Sequence, residues 1–232
     1  MTDILKVGTT FPMISGITGE ARMSHNGLYR YTLTRYRAKT GEQDGNRWLW
    51  VGLNPSGAAE DVDDTTVRVE WNLTWRDYQA ATEQKGRNNV LVTPHYTKMN
   101  IIPIRGLDPE EMFKEMMNFD RAFQHQAVVA ANFAAIIQQA SMSDRVVVAF
   151  GRPKNLIIAR LCMQLLSMLR TSYEGQLWCV GVLIDNWPAH PLRRTCKLQP
   201  YTVSPRWGEQ TMEMVLSEGI KRVAKSMEGT RQ

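Results

Sequence analysis

Apolar runs without polar alternation recur along the chain, at residues 48–53, 145–150 and 177–184, and helical patterns separate them. Strands buried on both faces read this way. Their alternation with helices predicts an α/β fold, a three-layer α/β/α sandwich around a mostly parallel central sheet. Residues 28–36 alternate aromatic and polar side chains and predict a half-exposed strand. Residues 47–53 predict a buried strand, 89–93 a third one ended by Pro94, 145–150 a fourth closed by Gly151, and 177–184 the last. Asp63-Asp64-Thr65-Thr66 stands ahead of Val67, Trp71 and Trp75 at helical spacing and predicts a helix start. Residues 109–139 predict one or two helices with a break near Asn118. Residues 153–170 predict an amphipathic helix with Pro153 in its first turn, and 208–227 a C-terminal helix. Residues 1–27, punctuated by Gly16, Gly19 and Gly27, predict an irregular arm.

The length of 232 residues suits a single domain with a full core, and 43% hydrophobic and 22% charged residues are ordinary for a globular protein. The net charge is +5 and the sequence pI about 9.2, a weak pointer to nucleic acid or small anions. Cys162, Cys179 and Cys196 form no Cys-x-x-Cys, which argues against a disulfide framework or a cysteine-ligated cluster. No basic-then-apolar leader and no membrane-length apolar run is present, so a soluble cytoplasmic protein is expected.

Two apolar runs end in polar, kinked tips: Asn54-Pro55-Ser56-Gly57, and Pro188-Ala189-His190-Pro191. Ligands of open α/β sheets bind beyond the carboxyl ends of the strands. An amide and an imidazole are therefore expected on opposite sides of one small molecule or nucleotide. Pro55 stiffens its turn, and the Asn54 side-chain carbonyl can hold a water by accepting its hydrogen bond. His95, after Pro94, places a second imidazole at the same predicted edge, whereas His25 and His125 read as structural. Asp61, Asp63 and Asp64 read as helix caps first and as bases second. No His or Cys spacing accompanies them, so no metal is expected. Gly151-Arg152-Pro153-Lys154 reads as an anion-binding helix start, suited to a backbone phosphate. Trp71, Trp75, Phe119 and Phe123 fall at helical spacings and read as core.

Taken in order, Tyr29-Arg30-Tyr31 with Leu33 and Arg35, Leu53-Asn54-Pro55-Ser56, Asp63-Asp64-x-Thr66, Ala149-Phe150-Gly151 and Pro188-x-His190-Pro191-Leu192 resemble a bacterial and phage family of domains of unknown function. More distantly, Gly52-Leu53-Asn54-Pro55-Ser56 resembles the first motif of the uracil/thymine-DNA glycosylase superfamily, and His190-Pro191-Leu192 its second. That resemblance implies a uracil-DNA-glycosylase-like fold, with Asn54 positioning the hydrolytic water and His190 hydrogen-bonding the pyrimidine O2. An Asn is no strong base at neutral pH, so if a carboxylate is required Asp64 is the first candidate and Asp63 the second. In the strict uracil enzymes a Tyr of the first motif blocks pyrimidine C5; Ser56 and Gly57 stand there in this chain and leave room for a 5-substituent. Thr93 and His95 end the predicted third strand, where superfamily members often place a base-reading Asn. Arg152, Lys154, Arg193 and Arg194 are the expected phosphate contacts.

The function expected is a DNA glycosylase acting on a flipped-out modified pyrimidine, such as hydroxymethylated or glucosylated cytosine in phage DNA, in antiviral defence. The alternatives are a uracil or mismatch repair glycosylase, or a non-catalytic nucleotide sensor. No cofactor is expected, and DNA, taken as double-stranded, is the expected partner.

Overall fold

Four consecutive residues, Trp48, Leu49, Trp50 and Val51, are at most 2% exposed, which makes the strand carrying them the centre of the molecule. The computed structural model describes residues 10–37, 46–85, 93–106, 109–118, 120–193 and 196–203. In chain order the elements are β1 (Thr10–Pro12), β2 (Thr18–Met23), β3 (Arg30–Tyr36), β4 (Arg47–Gly52), β5 (Val62–Asp64), α1 (Thr65–Lys85), β6 (His95–Asn100), α2 (Pro109–Met116), α3 (Ala122–Ser141), β7 (Arg145–Val148), α4 (Leu156–Ser172), β8 (Leu177–Cys179) and β9 (Gln199–Pro200).

A seven-stranded sheet has the order β2-β3-β6-β4-β7-β8-β9. β6, β4, β7 and β8 run parallel. β2 and β3 at one edge and β9 at the other run antiparallel to their neighbours. The sheet is therefore mixed, which corrects the expectation of a mostly parallel one. The link from β2 to β3 is too short for a parallel crossover, which needs a dozen or more residues. Successive side chains of β4 enter different cores. Leu49 and Val51 join the cluster that holds Phe133 and Ile136 of α3 and Leu165 and Leu166 of α4. Trp48 and Trp50 join the cluster that holds Val67 and Trp71 of α1.

Several expected elements lie elsewhere. The arm expected at 1–27 carries β1, paired with β5, and β2, paired with β3. The third strand is His95–Asn100, so Pro94 precedes it; of residues 89–93 only Thr93 is described, and it lies outside any strand. The last parallel strand stops at Cys179, because Gly181 takes φ +147° and residues 182–188 fold back through a Val182–Pro188 bridge. The last helix described starts at Leu156, not Pro153, capped by Asn155, whose side chain accepts from the Ile158 amide. The helices expected around the break near Asn118 are α2 and α3. The C-terminal helix expected at 208–227 lies outside the described residues. Among the described residues no helix is long and apolar enough to cross a membrane.

Candidate functional site

The chain leaves β4, builds β6 on one side of it, and returns through α2 and α3 to build β7 on the other. Such a reversal opens a crevice at the carboxyl ends of the strands, the place where α/β sheets bind ligands. A cavity of about 780 Å³ lies there, lined by Gly52 at the end of β4, Asn54 after it, Asn100 at the end of β6, Phe150 and Gly151 after β7, and His190. Its volume falls in the range of small-molecule sites.

The tip of β4 is tied to the segment after β6. The Ile101 and Ile102 amides donate to the Gly52 and Leu53 carbonyls at 2.9 Å, and the Gly106 amide to Pro55 O at 3.1 Å. Asn54 Nδ2 donates to Gly106 O at 2.9 Å and, more weakly, to Pro55 O at 3.4 Å. With the amide nitrogen committed to carbonyls, the group Asn54 offers the cavity is Oδ1, an acceptor suited to water. Ser56 also lines the cavity, and its Oγ donates to Asp64 Oδ2. The other Asp64 oxygen accepts from the Val67 amide at 2.8 Å, so the expected cap is present.

Asp64 is 2% exposed and stands one hydrogen bond behind the cavity wall. Burial pushes its carboxyl up, but Lys98, the Ser56 hydroxyl, the Val67 amide and Arg30 together outweigh this and hold it below the usual carboxylate range. Asp63 is spent on Arg35, 2.9 Å away.

His190 arrives from the hairpin after β8. The Ala189 amide donates to Gly181 O at 2.8 Å and returns the chain to the sheet edge. Gly151 takes φ +76°, and a Cβ there would come within 3.3 Å of the His190 Cβ, so only glycine allows this approach without a shift. The Leu192 amide donates to His190 Nδ1 at 3.2 Å. Nδ1 is thus the acceptor, and the neutral ring carries its proton on Nε2. The ring is open to the cavity yet crowded by protein. Desolvation first, then the Lys98 charge, pushes its pKa down to about 4 against an opposing pull from Asp64.

This has a testable consequence. The folded ring takes a proton only near pH 4 and the unfolded ring near 6.5, so the folded protein keeps a neutral His190 across neutral pH. Its contribution to stability is full above about 6.5 and is lost as pH falls from there toward 4. An NMR titration should place the His190 inflection near 4.

Cationic side chains rim the opening: Lys114 of α2, with Arg152 and Lys154 ahead of α4. Arg152 Nε also lies 2.8 Å from Asp185 Oδ2, which balances part of its charge. Other expected site residues do not converge here. Thr93 and His95 lie at the amino end of β6, where His95 pairs with Arg47 and stacks on Tyr36 at 5.4 Å, the end opposite the cavity. A side chain on Gly57 would meet Thr10 at 2.9 Å, and Gly57 does not line the cavity. Arg193 is exposed, bonds Val182 O at 3.5 Å, and does not line the cavity. Arg194 lies outside the described residues. Of the residues expected in the core, Trp71 is buried, whereas Phe123 is 89% exposed.

Lys98 and Asn100 are among the residues that line the cavity without having been anticipated. Asn100 is 1% exposed, and neither atom of its amide has a partner among the described residues. A buried amide left so is costly, and its donor and acceptor suit the edge of a base. A Cβ on Gly52 would lie 2.6 Å from Asn100 Oδ1, so the glycine makes room for it.

Residues 30–192 match the family described as "Protein of unknown function (DUF1643)". The chain belongs to this family. The matched span runs from β3 through the His190 motif and contains every residue that lines the cavity. No curated protein and no solved structure matches the chain.

Proposed function

We propose that this member of the family is a DNA glycosylase that hydrolyses the N-glycosidic bond of a flipped-out, 5-modified pyrimidine, on a three-layer scaffold of the uracil-DNA glycosylase type. The observation that carries the reading is the cavity at the strand reversal, where Asn54, the unpartnered Asn100 and His190 meet from three separate segments. The superfamily resemblance calls for a water-holding Asn after the first core strand, a base-reading Asn after a later one and a His after the last. We take Asn54, Asn100 and His190 for those places.

Heterolysis builds positive charge on the sugar and negative charge on the base, and fixed dipoles in a dry site stabilise such charges best. Neutral His190 donates through Nε2 to the base oxygen as its charge grows. Asn100 reads the base edge. Asn54 Oδ1 and Ser56 Oγ accept from one water and turn its oxygen toward the sugar. Asp64 acts through Ser56: by taking the hydroxyl proton in a hydrogen bond, it leaves the Ser56 lone pairs for that water. The electron pair of the C1′–N bond leaves on the base, water forms the new C1′–O bond, and its proton ends on the released base. Extruding the base costs a few kcal/mol, and phosphate contacts from Lys114, Lys154 and Arg152 offset it. Ser56 is small, and the cavity has room for a substituent at C5, which favours hydroxymethylated or glucosylated cytosine of phage DNA over plain uracil, with defence against phage as the role.

The test is base release from duplexes carrying uracil, 5-hydroxymethylcytosine or its glucosylated form, read as alkali-labile strand breaks. Breaks at a modified cytosine support the proposal; no breaks in any duplex overturn it. Ser56→Ala and Asp64→Asn should each slow release by about 10-fold or more, and the double variant by little beyond either single one, because residues acting as one unit are not additive. Independent, multiplying losses would separate Asp64 from Ser56.

A further inference from the structure

On the α1 side of the sheet the side chains grade from apolar to charged toward the cavity. Trp48, Trp50, Trp71 and Tyr96 share one apolar cluster. Lys98 follows Tyr96 on the same face of β6, and Asn100 follows Lys98. Glu70 of α1 is fully buried beneath them. Lys98 Nζ donates to its two oxygens at 2.7 and 2.8 Å, and the Tyr96 hydroxyl donates to one of them at 2.5 Å.

A buried ion pair of this kind is weak evidence for stability, since apolar residues of similar volume often serve a core as well. What the pair does provide is a fixed ammonium at the cavity wall. Lys98 lines the cavity while only 5% exposed. Gly52 leaves its end uncovered, since a Cβ there would approach Lys98 Cε to 3.2 Å and Nζ to 3.6 Å. An ammonium has three donors, and Glu70 takes two.

Resting on the glycosylase reading, we propose that Lys98 is a further catalytic residue whose remaining N–H stabilises the negative charge gathering on the departing base, with Glu70 and Tyr96 as the positioning residues that aim it. The bond that breaks is C1′–N, with its electron pair moving onto the base. The bond that forms is C1′–O, from water, whose proton ends on the free base. Lys98 gives up no proton in this step. Because Glu70 balances its charge beforehand, the donor is in place before the charge develops and no reorganisation is needed.

The decisive variant is Lys98→Met combined with Glu70→Gln, which leaves neither partner of the pair charged and alone; circular dichroism and a thermal melt verify that it folds. Single-turnover release is then measured on bases graded in acidity at the glycosidic nitrogen: 5-fluorouracil, uracil and thymine, and 5-formyl-, 5-hydroxymethyl- and 5-methylcytosine. The expected result is a loss of about 10²–10³-fold on the least acidic leaving base and a smaller loss on the most acidic. An unchanged rate, or the same loss for every base, overturns the role of Lys98 while leaving the glycosylase reading intact. A wild-type protein that releases none of the panel and no glucosylated cytosine overturns both.

Discussion

Replacing Asn54 by alanine is expected to slow single-turnover base release by about 10²–10³-fold, the usual consequence of losing one preorganised polar contact to the reacting atoms. The side chain has a structural duty as well, since Nδ2 ties the turn after β4 to Gly106. The magnitudes separate the two duties. A lost hydrogen bond of this kind costs about 0.5–1.5 kcal/mol of stability, whereas the rate loss corresponds to about 2.7–4 kcal/mol of transition-state stabilisation. A melt of Asn54→Ala should therefore show a modestly destabilised, folded protein in which DNA affinity is retained and the chemical step is lost. A rate that falls only in proportion to the unfolded fraction would reduce Asn54 to a structural tie.

His190→Ala should cost a similar factor, about 10²–10³-fold, for a different reason: on the proposed mechanism it removes the donor to the base rather than the seat of the water. The loss should fall on kcat with KM little changed, as for an interaction made in the transition state. Its pH behaviour gives a second check. With the folded pKa at about 4, the wild-type ring stays neutral from acidic to basic assay conditions, so the ratio of wild-type to His190→Ala rates should be constant between pH 5.5 and 8. A ratio that climbs as pH drops through 6.5 would mean that the charged ring is the active form, and the neutral-donor mechanism would fail.

The two tips that matter most could be read from the chain because they combine an apolar run with residues that must end it. Pro55 cannot continue a central strand, and Asn54 and His190 each sit where a buried run meets a turn. The superfamily resemblance extended that reading to Ser56, and the need for a base to Asp64; Ser56 lines the cavity while Asp64 stands behind it. β6 was hidden for a physical reason. Its sequence, His-Tyr-Thr-Lys-Met-Asn, looks solvent-facing, yet Tyr96 and Lys98 are buried because Glu70 arrives from α1 to satisfy them. Charge pairing across tertiary structure leaves no trace in local hydropathy, so Asn100 was missed and His95 was assigned to the wrong end of the strand.

β2 was hidden differently. It is an edge strand with no buried residue, and Gly19 lies within it because a Cβ there would collide with Glu60 O at 2.0 Å. A glycine that reads as punctuation can thus be a packing requirement. The mixed direction of the sheet follows from such edge strands, whereas the parallel centre is what the apolar runs report.

The proposed mechanism has Asn54 and His190 act on the two sides of one glycosidic bond. Its most direct measurement is a mass balance on duplex DNA carrying a 5-modified cytosine, with free base and abasic sites both quantified by mass spectrometry. Equimolar intact base and abasic site are expected with the wild-type protein, and neither product with Asn54→Ala/His190→Ala that still binds the duplex. DNA that is bound but keeps every base, or a base altered while still attached to its sugar, would contradict it.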